Sequence, residues 1–236
     1  VKVGDILCTD GTYLTPVEYL SSNKTADGVV FWIEPDGKKG YVCYPKQLAE
    51  YSYSSDWLTV SMNYFNDRLA MYDYEGEKNT NGLLSDPYAG KPDYLAYHSS
   101  TALGPGWYMP SAGQMINLYT NMPKVALSFS VLSKKGMVCP TFSDADLATS
   151  TMQNNHTPYV INSESDYSFG FMDMAEYRTI PIKTVSLNNT YSHKVGDVIT
   201  TEGGVGVLFS LDEDGKGGDI VALNDLPRRY KMIDID

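Results

Sequence analysis

A short aromatic segment that leads into a helix start is the feature that most constrains the fold of this chain. Residues 106–110 include Trp107 and end in Pro110, and Ser111 follows where a helix would begin. Gln114 lies three residues later, which is the spacing of a capping box, in which two side chains satisfy backbone N–H groups at a helix start. The next apolar residues repeat at helical spacing and predict one buried helix face: Met115, Leu118 and Tyr119.

An internal repeat marks the two ends of the chain. The Lys-Val-Gly-Asp-Ile motif at residues 2–6 returns as Lys-Val-Gly-Asp-Val at residues 194–198, and Gly-Val-Val-Phe at residues 28–31 returns as Gly-Val-Leu-Phe at residues 206–209. Both copies continue with an Asp-Gly turn, and an apolar run on each side of such a turn is typical of a β-hairpin. The repeat therefore predicts a C-terminal β extension over residues 191–236, beside a main domain over residues 1–190.

The region between the two copies predicts helices first and strands later. We expect a short helix capped at Asn79–Asn81, a second over residues 92–103, the capped helix over residues 111–120, and a fourth from Pro123 to Gly136. Residues 149–156 suggest a polar loop. Strands are predicted over three segments: residues 159–161, 167–172 and 177–187. Strands at both ends with helices grouped in the middle indicate the α+β class.

These motifs, in this order, resemble the C-type-lectin-like fold, in the branch that includes formylglycine-generating enzymes. The nearest likeness is to non-catalytic domains of the type found at the C-terminus of the Legionella collagen-like adhesin and in Bacteroidetes surface proteins. The resemblance covers about residues 28–187 and implies a core of short helices around small twisted antiparallel sheets. Its fold-defining segment matches Trp107, Pro110, Ser111 and Gln114, with Gln114 in place of the family's usual acid.

The resemblance implies a non-catalytic binding module that is exported or held at the cell surface, as an adhesin would be. Residues 150–178 are rich in Tyr, Asn and Ser, the composition that antibody paratopes use, and the family uses the corresponding strands and loops to face its ligand. We therefore expect a glycan or protein ligand to be bound by Trp57, Tyr159, Asn162, Ser163, Glu164, Tyr167 and Tyr177. The alternative is a structural or assembly domain of a larger surface appendage, without a small-ligand site.

Charge and residue types argue against several other functions. The net charge of −11, without a cluster of basic residues, argues against nucleic-acid binding, and no apolar run is long enough for a membrane span. The three cysteines and three histidines are scattered, so we predict no enzyme, metal site or cofactor. A formylglycine-generating site needs a late cysteine pair, whereas Cys139 is alone beyond residue 43. Because the chain opens at Val1 without an apolar leader, we expect that an export signal has been removed.

Overall fold

The computed structural model describes residues 1–59, 67–140, 146–162, 168–171, 176–187, 195–201, 204–210, 212 and 218–222. In this part of the chain the helices are α1 (Pro16–Ser21), α2 (Asp67–Ala70), α3 (Gly76–Ser85), α4 (Leu95–His98), α5 (Ala112–Thr120) and α6 (Met122–Lys134). The strands are β1 (Ile6–Cys8), β2 (Tyr13–Leu14), β3 (Ala26–Ile33), β4 (Lys39–Cys43), β5 (Trp107–Tyr108), β6 (Leu147–Met152), β7 (Pro158–Asn162), β8 (Ser168–Phe171), β9 (Ile182–Ser186), β10 (Val198–Thr201), β11 (Gly204–Leu208) and β12 (Ile220–Ala222).

The largest sheet is built around the first copy of the repeat. Its strand order is β2-β1-β3-β4-β9-β5, and all neighbours pair antiparallel. The hairpin β3–β4 closes through the predicted Asp-Gly turn, where the Glu34 N–H donates to the Lys39 carbonyl at 2.8 Å. Gly37 takes a φ of 70° in this turn, a conformation that a side chain would strain. Two smaller three-stranded sheets, β6-β7-β8 and β10-β11-β12, complete an α+β architecture.

Helices cover one face of the main sheet. Val125, Phe129 and Leu132 of α6 pack with Ile6 and Phe31 in the largest core cluster. The opposite face carries a smaller cluster around Trp107. A third cluster joins α3 and α4 to the sheet β6-β7-β8. The core is thus divided between the two faces of one sheet and the helix-covered side of another.

The predicted helices in the middle of the chain are found, with corrected bounds in two cases. The capped helix α5 and the following α6 are confirmed, and α6 is followed by Gly136 with a φ of 89°. However, α3 begins at Gly76, so Asn79 lies inside the helix instead of capping it. The predicted helix over residues 92–103 shortens to the single turn α4, followed by hydrogen-bonded turns up to Gly104.

The prediction of a polar loop over residues 149–156 is wrong for its first half. Residues 149–152 belong to β6, every residue of which is buried. The reason is that the two threonine hydroxyls of this segment find partners inside the protein: the Thr149 hydroxyl donates to the Tyr159 carbonyl at 3.0 Å, and the Thr151 hydroxyl donates to Asp73. A strand with polar side chains can be buried when its hydroxyls are hydrogen-bonded.

The second copy of the repeat shares two features of backbone geometry with the first. Ile6 pairs with Val29 in the first copy, and their equivalents Val198 and Val207 pair in the second. Gly4 and Gly196 have φ values of 94° and 97°, and their N–H groups donate to equivalent carbonyls, those of Val30 and Leu208, at 2.8 Å. The predicted domain boundary near residue 190 falls in residues 188–194, outside the described part of the chain, and stays a prediction.

A buried carboxylate joins three elements of the structure. Asp73, only 4% exposed, lies in the turn before α3. Its carboxylate accepts hydrogen bonds from the Glu75 N–H at 2.9 Å, the Asn79 side-chain amide at 2.8 Å and the Thr151 hydroxyl at 2.6 Å. Its backbone carbonyl accepts from the Ser111 hydroxyl at 2.6 Å and from the Gly113 N–H at 3.0 Å. We call this residue and its partners the Asp73 hub.

Thr151 extends the Asp73 hub to the start of α5. Its hydroxyl oxygen accepts the Ala112 N–H at 2.8 Å while the hydroxyl donates to Asp73. The Ala112 N–H is one of the donors at the start of α5 that have no partner within the helix. Strand β6 therefore supplies the hydrogen bond that the helix cannot make for itself.

We predict that Thr151→Val destabilises the protein by about 2–4 kcal/mol, because it leaves the Ala112 N–H and the Asp73 carboxylate each short of a buried partner. Guanidinium unfolding followed by circular dichroism measures this change. Thr25→Val is the matched control, because Thr25 is exposed and its hydroxyl has no hydrogen bond among the described residues. Equal unfolding midpoints for Thr151→Val and the control would contradict a stabilising role of the Asp73 hub.

Candidate functional site

A cleft of about 410 Å³ opens between the main sheet and the start of α3. Three tyrosines from separate parts of the chain line it, together with a helix-capping glutamine and several polar or charged side chains. We call it the tyrosine cleft. Its lining residues are Lys39, Tyr41, Tyr74, Glu75, Glu77, Lys78, Asn81, Tyr108, Gln114 and Thr184. The volume lies within the range that small-molecule sites occupy in proteins.

The main sheet supplies one wall of the tyrosine cleft. Tyr41 of β4 lies directly opposite Thr184 of β9 in the sheet, so their side chains share a face. Tyr108 of β5 reaches the same place, because its hydroxyl lies 2.7 Å from the Thr184 hydroxyl. The other wall comes from Tyr74, just before α3, and from polar residues on the first turns of α3.

The capping box of α5 is connected to this cleft by hydrogen bonds. The Gln114 side-chain oxygen accepts the Ser111 N–H at 3.0 Å, and the Gln114 side-chain amide donates to the Tyr108 hydroxyl at 3.3 Å. The Tyr108 hydroxyl thus accepts from Gln114 and shares a second hydrogen bond with the Thr184 hydroxyl, in which either oxygen can be the donor. A glutamate at position 114 would lack the amide donor when ionised. The glutamine at position 114 thus has a structural role that a glutamate could not fill.

Burial sets the protonation state of the cleft tyrosines. Burial raises the pKa of Tyr41, Tyr74 and Tyr108 above the usual value of a tyrosine. The neighbouring Glu34 raises the pKa of Tyr41 further, since the Tyr41 hydroxyl donates to its carboxylate at 2.9 Å. The phenols are therefore neutral over the physiological pH range and can both donate and accept hydrogen bonds.

Charges around the cleft are mixed. Lys78 forms an ion pair with Glu75, three residues earlier, and both side chains are exposed. Glu77 and Lys39 add one further charge of each sign at the rim. The formal charges of these four lining residues cancel. The cleft offers aromatic rings, hydroxyls, carboxylates and the Asn81 amide, a set that suits an uncharged polar molecule.

The structure corrects the sequence prediction for two of the expected ligand-binding residues. Tyr159 is completely buried and Tyr177 is 2% exposed. Tyr177 packs edge-on against Tyr53, with ring centroids 5.8 Å apart. Tyr159 lies in β7, where Val160 and Ile161 are also buried, so this strand is covered on both faces. Both tyrosines are core residues and are out of reach of a ligand in solution.

Trp57 is exposed, as a ligand-contacting residue would be. Its side chain is 60% accessible, and its ring stacks on His156 with centroids 5.7 Å apart and an angle of 19° between the planes. Asn162 ends β7, and its side chain lies outside the described part of the structure. Ser163, Glu164 and Tyr167 fall on residues that the structure does not describe. Their ligand-binding role stays a prediction.

Each residue of the predicted fold-defining segment has a distinct contact. Trp107 packs on the sheet face opposite α6, where Lys183 lies 4.6 Å above its ring. The Pro110 carbonyl accepts the Ser150 N–H of β6 at 2.8 Å. Ser111 bonds to the Asp73 hub, and Gln114 reaches the tyrosine cleft. The segment therefore links the main sheet, the small sheet and the cleft.

The three cysteines lie in surroundings that disfavour a reactive thiolate. Cys8, Cys43 and Cys139 are free thiols, and burial raises the pKa of each, which disfavours the reactive thiolate. Within the described ranges, no group of three or more His, Cys, Asp or Glu side chains could hold a metal ion. The same ranges contain no helix that is long and apolar enough to cross a bilayer.

Comparison with known proteins finds similarity in structure and none in sequence families. No protein-family model matches the chain, and no curated protein matches it. The fold is similar to the crystal structure of a fimbrial protein from Bacteroides ovatus ATCC 8483, with a TM-score of 0.59 and 18% sequence identity. The match covers 79% of this chain and 49% of the fimbrial protein, so this chain spans about half the length of its neighbour. At this identity the likeness shows a shared fold.

We predict that Tyr108→Phe lowers the free energy of unfolding by about 1–2 kcal/mol, because the buried Gln114 amide loses its acceptor. Chemical unfolding monitored by fluorescence tests this. Tyr13→Phe provides the comparison, since Tyr13 is half-buried and its hydroxyl has no hydrogen bond among the described residues. If the two substitutions lower the free energy of unfolding equally, the hydrogen bond between Gln114 and Tyr108 does not stabilise the protein.

Proposed function

We propose that this chain is a non-catalytic binding module of an exported or cell-surface protein, and that the tyrosine cleft binds a glycan. The observation that carries the proposal is the convergence of Tyr41, Tyr74 and Tyr108 on one open cleft with a hydroxyl, an amide and carboxylates around them. Tyr74 is 46% exposed, so its ring is available to the apolar face of a sugar. The polar groups around it can bond to sugar hydroxyls.

A C-type-lectin-like core is part of this proposal. It is supported by the order of the sequence motifs, by the capping box at Ser111 and Gln114, and by short helices on small antiparallel sheets. A surface location is supported by the structural neighbour, which is named as a fimbrial protein. The absence of catalysis is proposed because the thiols are buried and poorly ionised.

The alternative is a structural or assembly domain of a surface appendage without a small-ligand site. Two observations favour it: the fimbrial neighbour, and the exposed valines of the second repeat copy. The two proposals differ in where a substitution takes effect. A binding module loses its ligand when the tyrosine cleft is altered, whereas an assembly domain is affected at its exposed apolar surface.

A glycan array probed with the wild-type protein and three variants tests the proposal. Tyr74→Ala removes the exposed ring of the cleft, and we expect at least ~10-fold weaker binding, which corresponds to about 1.4 kcal/mol. Tyr72→Ala is the matched control, because Tyr72 is 77% exposed, lies two residues away and does not line the cleft. Trp57→Ala examines the surface that the sequence predicts.

The pattern of loss among these variants identifies the site. Binding that is lost only in Tyr74→Ala supports the tyrosine cleft. Binding that is lost only in Trp57→Ala moves the site to the Trp57–His156 surface and contradicts the cleft, although the chain is still a glycan-binding module. If no glycan binds the wild type, a protein partner or the assembly role becomes the better explanation. Unchanged circular dichroism is required of every variant.

A further inference from the structure

A second cleft, of about 320 Å³, opens between the first repeat copy, the start of α6 and the second repeat copy. We call it the junction cleft. Two aromatic rings line it, those of Trp32 and Phe209, together with aliphatic side chains and several polar or charged groups. All of its lining residues belong to the part of the chain that the structure describes. Its volume, like that of the tyrosine cleft, lies within the range of small-molecule sites.

The junction cleft and the tyrosine cleft open on the same face of the main sheet. Trp32 of β3 is the cross-strand partner of Tyr41 in β4, and Tyr41 is the partner of Thr184 in β9. Residues directly opposite each other share a face, so these three side chains form one row. Trp32 lines the junction cleft, whereas Tyr41 and Thr184 line the tyrosine cleft. Because neighbouring strands lie about 4.8 Å apart, the two clefts are adjacent.

Glu34 connects the two clefts. It lines the junction cleft, and its carboxylate accepts a hydrogen bond at 2.9 Å from the hydroxyl of Tyr41, which lines the tyrosine cleft. One hydrogen-bonded pair of side chains is thus shared by both. The two clefts are therefore neighbouring parts of one surface, and a ligand of sufficient length can contact both.

The junction cleft offers the same kinds of groups as the tyrosine cleft. Phe209 is 53% exposed and Trp32 is half-buried, so both can present part of a ring to the apolar face of a sugar. The Asn121 amide and the Asp212 carboxylate add hydrogen-bonding groups, and Lys124 adds a positive charge. This combination of rings and polar groups suits a second sugar unit of the same ligand.

We propose that the junction cleft is a second sugar subsite, and that an oligosaccharide chain occupies both clefts at once. The inference rests on the proposed function of the tyrosine cleft, and it specifies that the glycan bound there is an oligosaccharide and not a single sugar. Two subsites joined through one ligand bind it more tightly than either subsite alone, because the second contact becomes intramolecular. Affinity should therefore increase with the length of the ligand.

Oligosaccharides of graded length, tested against the full chain, measure this increase. The probes are monomers, dimers and longer oligomers of mannose, galactose and N-acetylglucosamine on one array, followed by calorimetry of the series that binds. We expect the wild type to bind the longest oligomer at least ~10-fold more tightly than the shortest one that binds. The ratio of these two affinities is the quantity to compare among variants.

Three variants connect this ratio to the junction cleft. Phe209→Ala removes an exposed ring and is expected to abolish most of the increase with length, whereas Phe209→Tyr keeps a flat ring and is expected to retain it. Val221→Ala is the matched control, because Val221 is 55% exposed in the same repeat copy and does not line the cleft. Circular dichroism confirms that each variant is folded.

The outcomes separate this inference from the proposed function. Equal affinity for all lengths, or an increase with length that survives in Phe209→Ala, would overturn the second subsite. If Tyr74→Ala still abolishes binding in that case, the tyrosine cleft stands as a site for a single sugar unit. An equal loss for short and long oligomers in Phe209→Ala also overturns the inference, since the cleft then does not act as a separate subsite. If no glycan binds the wild type, both proposals are wrong.

Discussion

The carboxylate of Asp73 is the interaction on which the arrangement around the cleft depends. The helices it joins are short, and helices of this length are marginal in water without tertiary contacts. Asp73 and Thr151 satisfy donors at the starts of α3 and α5 with groups from outside those helices. The same hub holds the Ser111 hydroxyl, so it orients the capping box. From there the hydrogen bonds run through Gln114 and Tyr108 to Thr184 in the tyrosine cleft. The stability of the fold and the shape of the cleft therefore share one set of contacts.

Structural features that depend on residues close together in the chain could be predicted from the sequence. The capping box of α5 uses residues three apart, and the turn of β3–β4 is formed by adjacent residues. A second capping box, Thr15 with Glu18 at the start of α1, carries the same local pattern, although the prediction did not include this helix. In contrast, the polar sequence of residues 149–156 predicts a loop, whereas residues 149–152 belong to β6. The partners of the Thr151 hydroxyl are distant in sequence: it bonds to Ala112 and to Asp73. Only the folded chain brings these groups together.

The candidate site likewise depends on contacts between residues that are distant in sequence. Composition around residues 150–178 suggested a ligand-facing surface, but composition does not tell which face of a strand is covered, and Tyr159 and Tyr177 are in the core. The tyrosine cleft has no sequence signature, because Tyr41, Tyr74 and Tyr108 come from β4, the turn before α3, and β5. The sequence predicts Gln114 as a capping residue only, and the hydrogen bond from its side-chain amide to Tyr108 appears in the folded chain alone.

A comparison of the two copies of the repeat shows which features depend on the repeated residues and which depend on neighbouring elements. The pairing of Ile6 with Val29 and of Val198 with Val207, and the left-handed glycines Gly4 and Gly196, are alike in both copies, since each depends on residues within the copy. Burial is not alike, because it depends on what packs above. Burying a side chain such as phenylalanine contributes about 1.5–3 kcal/mol, and the first copy gains this at Phe31 while the second leaves Phe209 half exposed. The pairing of the strands is therefore encoded within each copy, whereas the burial of the equivalent side chains is set by the elements that pack against them, as α6 does over Phe31.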